Sequence, residues 1–257
     1  MDKKYHFISG LPRSGSTLLV ALLNQNPRFY ADVSSPLKDC YHAILPTIYN
    51  YPEKSISLNE NRIKNILRSI VDAYHYDNDK EVIFNVDRGW TSIIDQLNVT
   101  HKESKIICCV RSINWIIDSF ELAYNKRGLT IPKMHQLNHD NFQSRIRNIF
   151  PEGPLYKNYY DLMQAYYGPF KDKLLIVEYD DLVKTPKEMI NKIYQFIGEE
   201  EFVHDFDNVK SNFEDFDDKL NFPGLHKIRS KVEYKERETI LPPEIFDKFK
   251  NMEFWRK

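Results

Sequence analysis

The residues with the clearest chemistry form one run, Gly10-Leu11-Pro12-Arg13-Ser14-Gly15-Ser16-Thr17. Two glycines with four residues between them, then a lysine, then Ser or Thr, make the frame of a loop whose backbone N–H groups cradle phosphate. Gly10, Gly15 and Thr17 fall in that register, but Ser16 stands where the lysine belongs. A nucleoside triphosphatase needs that lysine on the β- and γ-phosphates. The nearby cation is Arg13, inside the loop. The run therefore reads as an anion site that differs from an ordinary ATP or GTP hydrolase.

Further groups of the same kind recur. Asp87-Arg88-Gly89-Trp90 follows the apolar run Val82 to Val86. Arg111 follows Lys105 to Val110, and Ser119 lies eight residues on, on the same face of a helix. A basic run, Leu225-His226-Lys227-Ile228-Arg229-Ser230-Lys231, follows the turn signal Pro223-Gly224. One arginine after a strand reads as a surface ion pair. Together they suggest a ligand with two separate phosphate-like groups, one on the glycine loop and one on Arg111 and Ser119. The late basic run would fold over it as a lid.

Positioning these groups requires strands and helices in alternation. Tyr5 to Ser9, Val82 to Val86, Lys105 to Val110 and Leu174 to Tyr179 are short apolar runs that read as buried strands. Leu18, Leu19, Leu22 and Leu23 recur at helical spacing after the loop, before Pro27. Helices are expected from about Asn59 to Tyr76, Ser112 to Lys126 and Pro154 to Phe170. Another follows Thr185, with Thr185 and Glu188 as a capping box, Pro186 first and Gly198 last. A last short helix is expected near Pro242 or Pro243. The fold class is α/β: one domain over residues 1–257, with a parallel sheet flanked by helices and ligands at the strands' carboxyl ends. Thr130 to Gly153 reads as a substrate-facing insertion, and Glu199 to Asp218 as a solvated acidic stretch.

Composition narrows the function. There are 36 basic and 37 acidic residues, a net charge of −1, which argues against a general nucleic-acid binder. Three cysteines, Cys40, Cys108 and Cys109, make no disulfide framework, and the adjacent pair Cys108 and Cys109 reads as buried thiols. Cys and His spacing suggests no metal site. Neither a signal peptide nor a bilayer-length apolar run is seen, so a reducing, cytoplasmic setting is expected.

Set side by side, these motifs resemble the sulfotransferase family that uses 3′-phosphoadenosine 5′-phosphosulfate (PAPS), including its bacterial, tyrosylprotein and carbohydrate branches. Its 5′-phosphosulfate loop is similar to residues 11–19. Its 3′-phosphate motif, an arginine ending a strand and a serine eight residues on, is similar to Arg111 and Ser119. Phe84 to Trp90 resembles the bacterial F-D-K-x-R-G-W segment, and Gly224 to Arg229 the G-L-H-x-V-R segment. Val177 to Leu182, with Tyr179, resembles the Y-E-D-L strand end. The resemblance implies a P-loop-like fold and metal-independent, in-line transfer of a sulfuryl group from PAPS, leaving PAP. It implies that Arg13, Ser14, Gly15, Ser16 and Thr17 hold the 5′ end, while Arg111 and Ser119 hold the 3′-phosphate. Tyr179 joins the cofactor site, Lys227 and Arg229 close over it, and Arg13 and Arg88 act at the transferred group.

The sequence departs from that pattern in two places. Val86 stands at the lysine of F-D-K-x-R-G-W, and Val33 and Ser34 stand at the glutamate of tyrosylprotein-type members. Asp32 is the adjacent candidate for the base that takes the acceptor's proton, with Asp39, His42 and Asp87 as alternatives. The acceptor would be a small-molecule, carbohydrate or peptide hydroxyl, or an amine. Tyr41, His42, Tyr49, Tyr51, Tyr74 and Tyr76 could line its pocket or form core. A P-loop small-molecule kinase and a PAP-binding protein without chemistry are the competing readings.

Overall fold

A computed structural model describes residues 3–50, 53, 56, 58–127, 141–211, 213–220 and 224–256. Its centre is a sheet of five parallel strands: β1 (Lys4–Gly10), β2 (Phe29–Ala31), β3 (Val82–Val86), β4 (Ile106–Val110) and β5 (Leu174–Glu178). The order is β2-β3-β1-β4-β5, so β1 runs between β3 and β4. Parallel neighbours need crossovers, and helices supply them.

The strands are buried on both faces because apolar residues occupy both sides of the pleat. Phe7, Ile106, Cys108 and Val110 join one core cluster, with Trp90 and Leu162. Ile8, Phe84, Ile107, Cys109 and Val177 join the other, with Leu19, Leu22 and Leu23 of α1 (Ser16–Leu23). Truncating one of these fully buried leucines to alanine would cost about 2–5 kcal/mol. Cys108 and Cys109 are the buried thiols expected; burial pushes both up, Cys109 to about 12, where a thiol is inert.

The next helices are α2 (Leu37–Tyr49), α3 (Glu60–Tyr74), α4 (Ile94–Thr100), α5 (Ile113–Arg127), α6 (Phe142–Ile149) and α7 (Pro154–Tyr167). α8 (Tyr179–Lys184), α9 (Pro186–Ile197), α10 (Glu214–Lys219) and α11 (Pro243–Lys248) follow. The strand bounds expected from sequence hold to within a residue or two, as do those of the helices near Asn59, Ser112, Pro186 and Pro243. The helix from Pro154 ends at Tyr167 rather than Phe170.

Three expectations change. The capping box at α9 does not form: Thr185 Oγ1 donates to Asp181 O at 3.2 Å, ending α8 instead of starting α9. Pro186 and a left-handed Gly198 do bound that helix. The acidic stretch is only partly solvated: Glu199 is buried between Lys4 and Arg28, and Asp217 of α10 is buried too. The expected insertion contains helix α6 from Phe142; residues 130–140 of it lie outside the described residues.

Candidate active site

All five strands point their carboxyl ends at one cleft of about 1110 Å³. Its floor is the loop after β1. Gly10 has φ +116°, and a Cβ there would stand 2.1 Å from Cys109 O, so only glycine fits against β4. Arg13 takes φ 58°, a left-handed conformation rare outside glycine, and Gly15 takes φ 89° as the N-cap of α1. These turns aim the first N–H groups of α1 into the cleft, and the helix's first turn holds no acidic side chain. Ser16 and Thr17 line the cleft beside Arg13 and Gly15.

Ser14 is built differently from the resemblance. Its hydroxyl is buried and approaches Leu11 O at 2.5 Å and Cys109 O at 2.9 Å. It pins the loop to β4, which leaves its hydroxyl no role on the ligand.

Beside the loop, the end of β4 contributes Arg111. Its guanidinium lies over the Tyr179 ring at 4.4 Å, and that ring packs against Gly15. Its Nε is buried and has no hydrogen-bond partner among the described residues. Burial lowers the guanidinium's affinity for its proton, yet no carboxylate is bound to it among the described residues. An oriented, buried donor without an acceptor is what an anionic ligand would complete. Ser119 of α5 faces the same space and accepts a hydrogen bond from Arg13 Nε at 3.1 Å. The two subsites read separately from the sequence are therefore joined across 106 residues.

On the far side of β1, β3 ends in Val86, and Asp87, Arg88 and Gly89 turn into the cleft. Ser9 Oγ donates to Arg88 O at 2.7 Å, and Gly89 N donates to Asp87 Oδ1 at 2.7 Å, which fixes this turn. Arg88 is exposed within the cleft, and desolvation by the surrounding protein lowers it. Burial also raises the Asp87 carboxyl above the usual carboxylate range.

Asp32 is not brought to the cleft. Its Oδ1 accepts from Val33 N at 2.6 Å, and its charge raises the phenol of Tyr30, behind burial as the larger cause. It is a turn residue at the sheet's edge. Asp39 pairs with Lys38, and His42 meets Ser92 Oγ at 3.5 Å; neither lines the cleft. Among the base candidates only Asp87 does. Of the aromatic group, Tyr41 is buried core, Tyr76 is exposed and Tyr51 lies outside the described residues, as does the Tyr49 side chain.

Residues 224–237 cover the cleft, presenting Lys227, Arg229, Lys231 and Arg237. His226 is clasped by buried Asp217, through N to Oδ2 at 2.8 Å and Nδ1 to Oδ1 at 2.5 Å. Val209 N to Ser230 O and Val232 N to Phe206 O tie the segment to the chain before it. Arg237 pairs with buried Asp118 and lies over Trp115 at 4.7 Å. Sequence reasoning missed Arg237, Trp115 and Lys38. Nothing in their spacing marks them, since each reaches the cleft from another element. No cluster of acidic, Cys or His residues able to hold a metal occurs among the described residues, and no described helix is long and apolar enough to cross a membrane.

This fold and cation-lined cleft define a P-loop-like transferase. The family model described as "Sulfotransferase family" matches residues 6–204, and the chain belongs to that family. The expectation of a sulfotransferase is borne out, and the kinase reading is not favoured. The sulfotransferase domain from the curacin biosynthetic pathway is 16% identical, with 98% of this chain and 92% of that one covered at a TM-score of 0.53. The sulfotransferase domain of the Synechococcus PCC 7002 olefin synthase is 19% identical, over 78% and 74%, at 0.50. A sulfotransferase from Alicyclobacillus acidocaldarius is 15% identical, over 86% and 90%, at 0.50. These three bear out the expected α/β fold. No curated protein shows a significant sequence match.

Proposed function

We propose that the cleft binds PAPS and passes its sulfuryl group to an acceptor hydroxyl, with Arg111 as the anchor for the 3′-phosphate. The single observation that carries this reading is the buried, unpartnered Arg111 Nε beside a preformed phosphate loop. When bound, PAPS supplies a sulfuryl group carried on a phosphate leaving group. The α1 N-terminus, Ser16, Thr17 and Arg13 hold the 5′ end; Arg111 and Ser119 hold the 3′-phosphate; Lys227 and Arg229 cover it. Tyr179 supports both sides by packing on Gly15 and under Arg111.

Strand order then sets direction. With the 3′-phosphate at β4 and the 5′ end on the loop after β1, the reactive end faces β3. Neighbouring strands stand about 4.8 Å apart, so the turn after β3 is within reach of that end. Arg88 there stabilises charge on the departing oxygens. Asp87, raised by burial, takes the acceptor's proton as its oxygen attacks. The acceptor enters along Phe120, Ala123, Ile149 and Leu155, an apolar wall with Asn148 and Asn158 at its polar end. That wall suits a small hydroxylated molecule with an apolar body.

The test is calorimetric titration with PAP beside Mg-ATP. Tight, metal-independent PAP binding with weak Mg-ATP binding is expected. Mg-dependent ATP binding without PAP binding would overturn the reading.

A further inference from the structure

Val86 leaves the reactive end of the cleft with an apolar residue at the last position of β3. On the sheet itself only Arg88 brings positive charge to that end. A second cation arrives from elsewhere. Lys38, in the first turn of α2, lines the cleft with its side chain 18% exposed. Its stem crosses Gly89: a Cβ on Gly89 would lie 3.0 Å from Lys38 Cε and 3.2 Å from Cδ. The same point is 3.1 Å from Asp87 Oδ1, so the lysine stem and the Asp87 carboxylate flank one small gap. Lys38 also lowers Asp87, against the larger effect of burial.

The ammonium is held by little. Its ion pair is with the adjacent Asp39, at 2.6 Å, and Asp39 is 72% exposed. A pair whose carboxylate stands in solvent contributes little and exchanges readily with solvent or a ligand. A lysine with a packed stem and a loosely held head can turn its ammonium toward an anion entering the cleft.

We infer that Lys38 is a catalytic cation of this enzyme, contacting the sulfuryl group from α2 and supplying the charge that Val86 does not. The inference rests on the proposed function, which sets the transferred group at the β3 end, and on two observations: Lys38 lines the cleft, and its stem lies against Gly89. Its role is electrostatic. As the sulfur–oxygen bond to the leaving phosphate breaks and the bond to the acceptor oxygen forms, Lys38 meets the charge on the sulfuryl oxygens and Arg88 the charge on the departing oxygens. Asp87 takes the proton released.

Binding tests this without an acceptor, because PAP lacks the sulfuryl group and PAPS carries it. Lys38→Met should weaken PAPS by about tenfold, as for loss of one charge-assisted contact, and leave PAP within about twofold. Retained PAP affinity also reports that the variant is folded. Lys38→Arg should keep the preference for PAPS. Gly89→Ala, which drives a Cβ against the Lys38 stem, should reproduce the Lys38→Met pattern. Val86→Lys added to Lys38→Met should restore PAPS affinity. Equal losses for PAPS and PAP, or no loss for either, would overturn the assignment while leaving the proposed function standing. Failure of the unaltered protein to bind PAP would instead bring down the proposed function, and this inference with it.

Discussion

The strand-end wall of the cleft is held by main chain and by groups with no freedom. Gly10 fits against Cys109 O, Ser14 is hydrogen-bonded to β4, and Leu11 N donates to the same Cys109 O at 2.8 Å. The covering segment, residues 224–237, is held by the Asp217–His226 clasp, the Arg237–Asp118 pair and a few backbone bonds. The first wall is preorganised for an anion and is expected to change little when one binds. The second offers mostly exposed cations, and a few local contacts set how long it stays closed. One region supplies affinity through fixed donors; the other supplies residence through a detachable cover.

Gly10→Ala should have the largest effect. A Cβ would collide with backbone at 2.1 Å and meet φ +116° as well, so more than about 3 kcal/mol of stability should be lost in denaturant unfolding. A loss under about 1 kcal/mol would mean that this wall yields, and the contrast would break. Arg111→Ala should weaken PAP by about 100-fold, and AMP, which lacks the 3′-phosphate, far less. Similar losses for both ligands would remove Arg111 from the 3′ subsite.

Asp217→Ala probes the cover. PAP affinity should fall about tenfold, chiefly through faster dissociation in stopped-flow measurements. A slowed association with unchanged dissociation would show that the segment steers ligand in rather than retaining it. Ser119→Ala should cost about fivefold, since the 3′-phosphate loses one hydroxyl donor and Arg13 loses one uncharged partner.

The gentlest probe near neutrality is pH. Burial lowers His6, His75 and His101 to about 4 each, from an ordinary 6.5. The unfolded chain therefore binds more protons between about 4 and 6.5, and stability present above 6.5 should drain away as pH falls to about 4. His75 and His101 flank Tyr5 at the amino end of the sheet, opposite the cleft. Acid should loosen that end first. Hydrogen exchange showing the loop after β1 opening earlier would contradict the account of a fixed wall.

Much of this was legible in the residues. Val82–Val86 and Ile106–Val110 are continuous apolar runs, the mark of strands buried on both faces, and their ends place Arg88 and Arg111. Other parts were not. β2 has three residues, too few to show a period, and α2 carries Pro46 inside it, which reads as a break. With α2 unseen, Lys38 had no visible place. Asp32 looked suitable as a base by position, but its carboxylate is turned onto its own backbone. Ser14 looked like a ligand group, but the nearest acceptors are carbonyls of Leu11 and Cys109.

By itself the sequence determined four of the five strands, the helices with a clear period, the anion loop and the cations at strand ends, because these follow from local periodicity, steric demand and spacing along the chain. Only the tertiary structure decided which groups share the cleft. It joined Arg13 to Ser119, left Arg111 Nε without an acceptor, excluded Asp32, admitted Asp87 and brought Lys38 across Gly89. The physical reason is that charge and hydrogen-bond capacity act over a few ångströms in space, and strand order, not sequence distance, sets those separations.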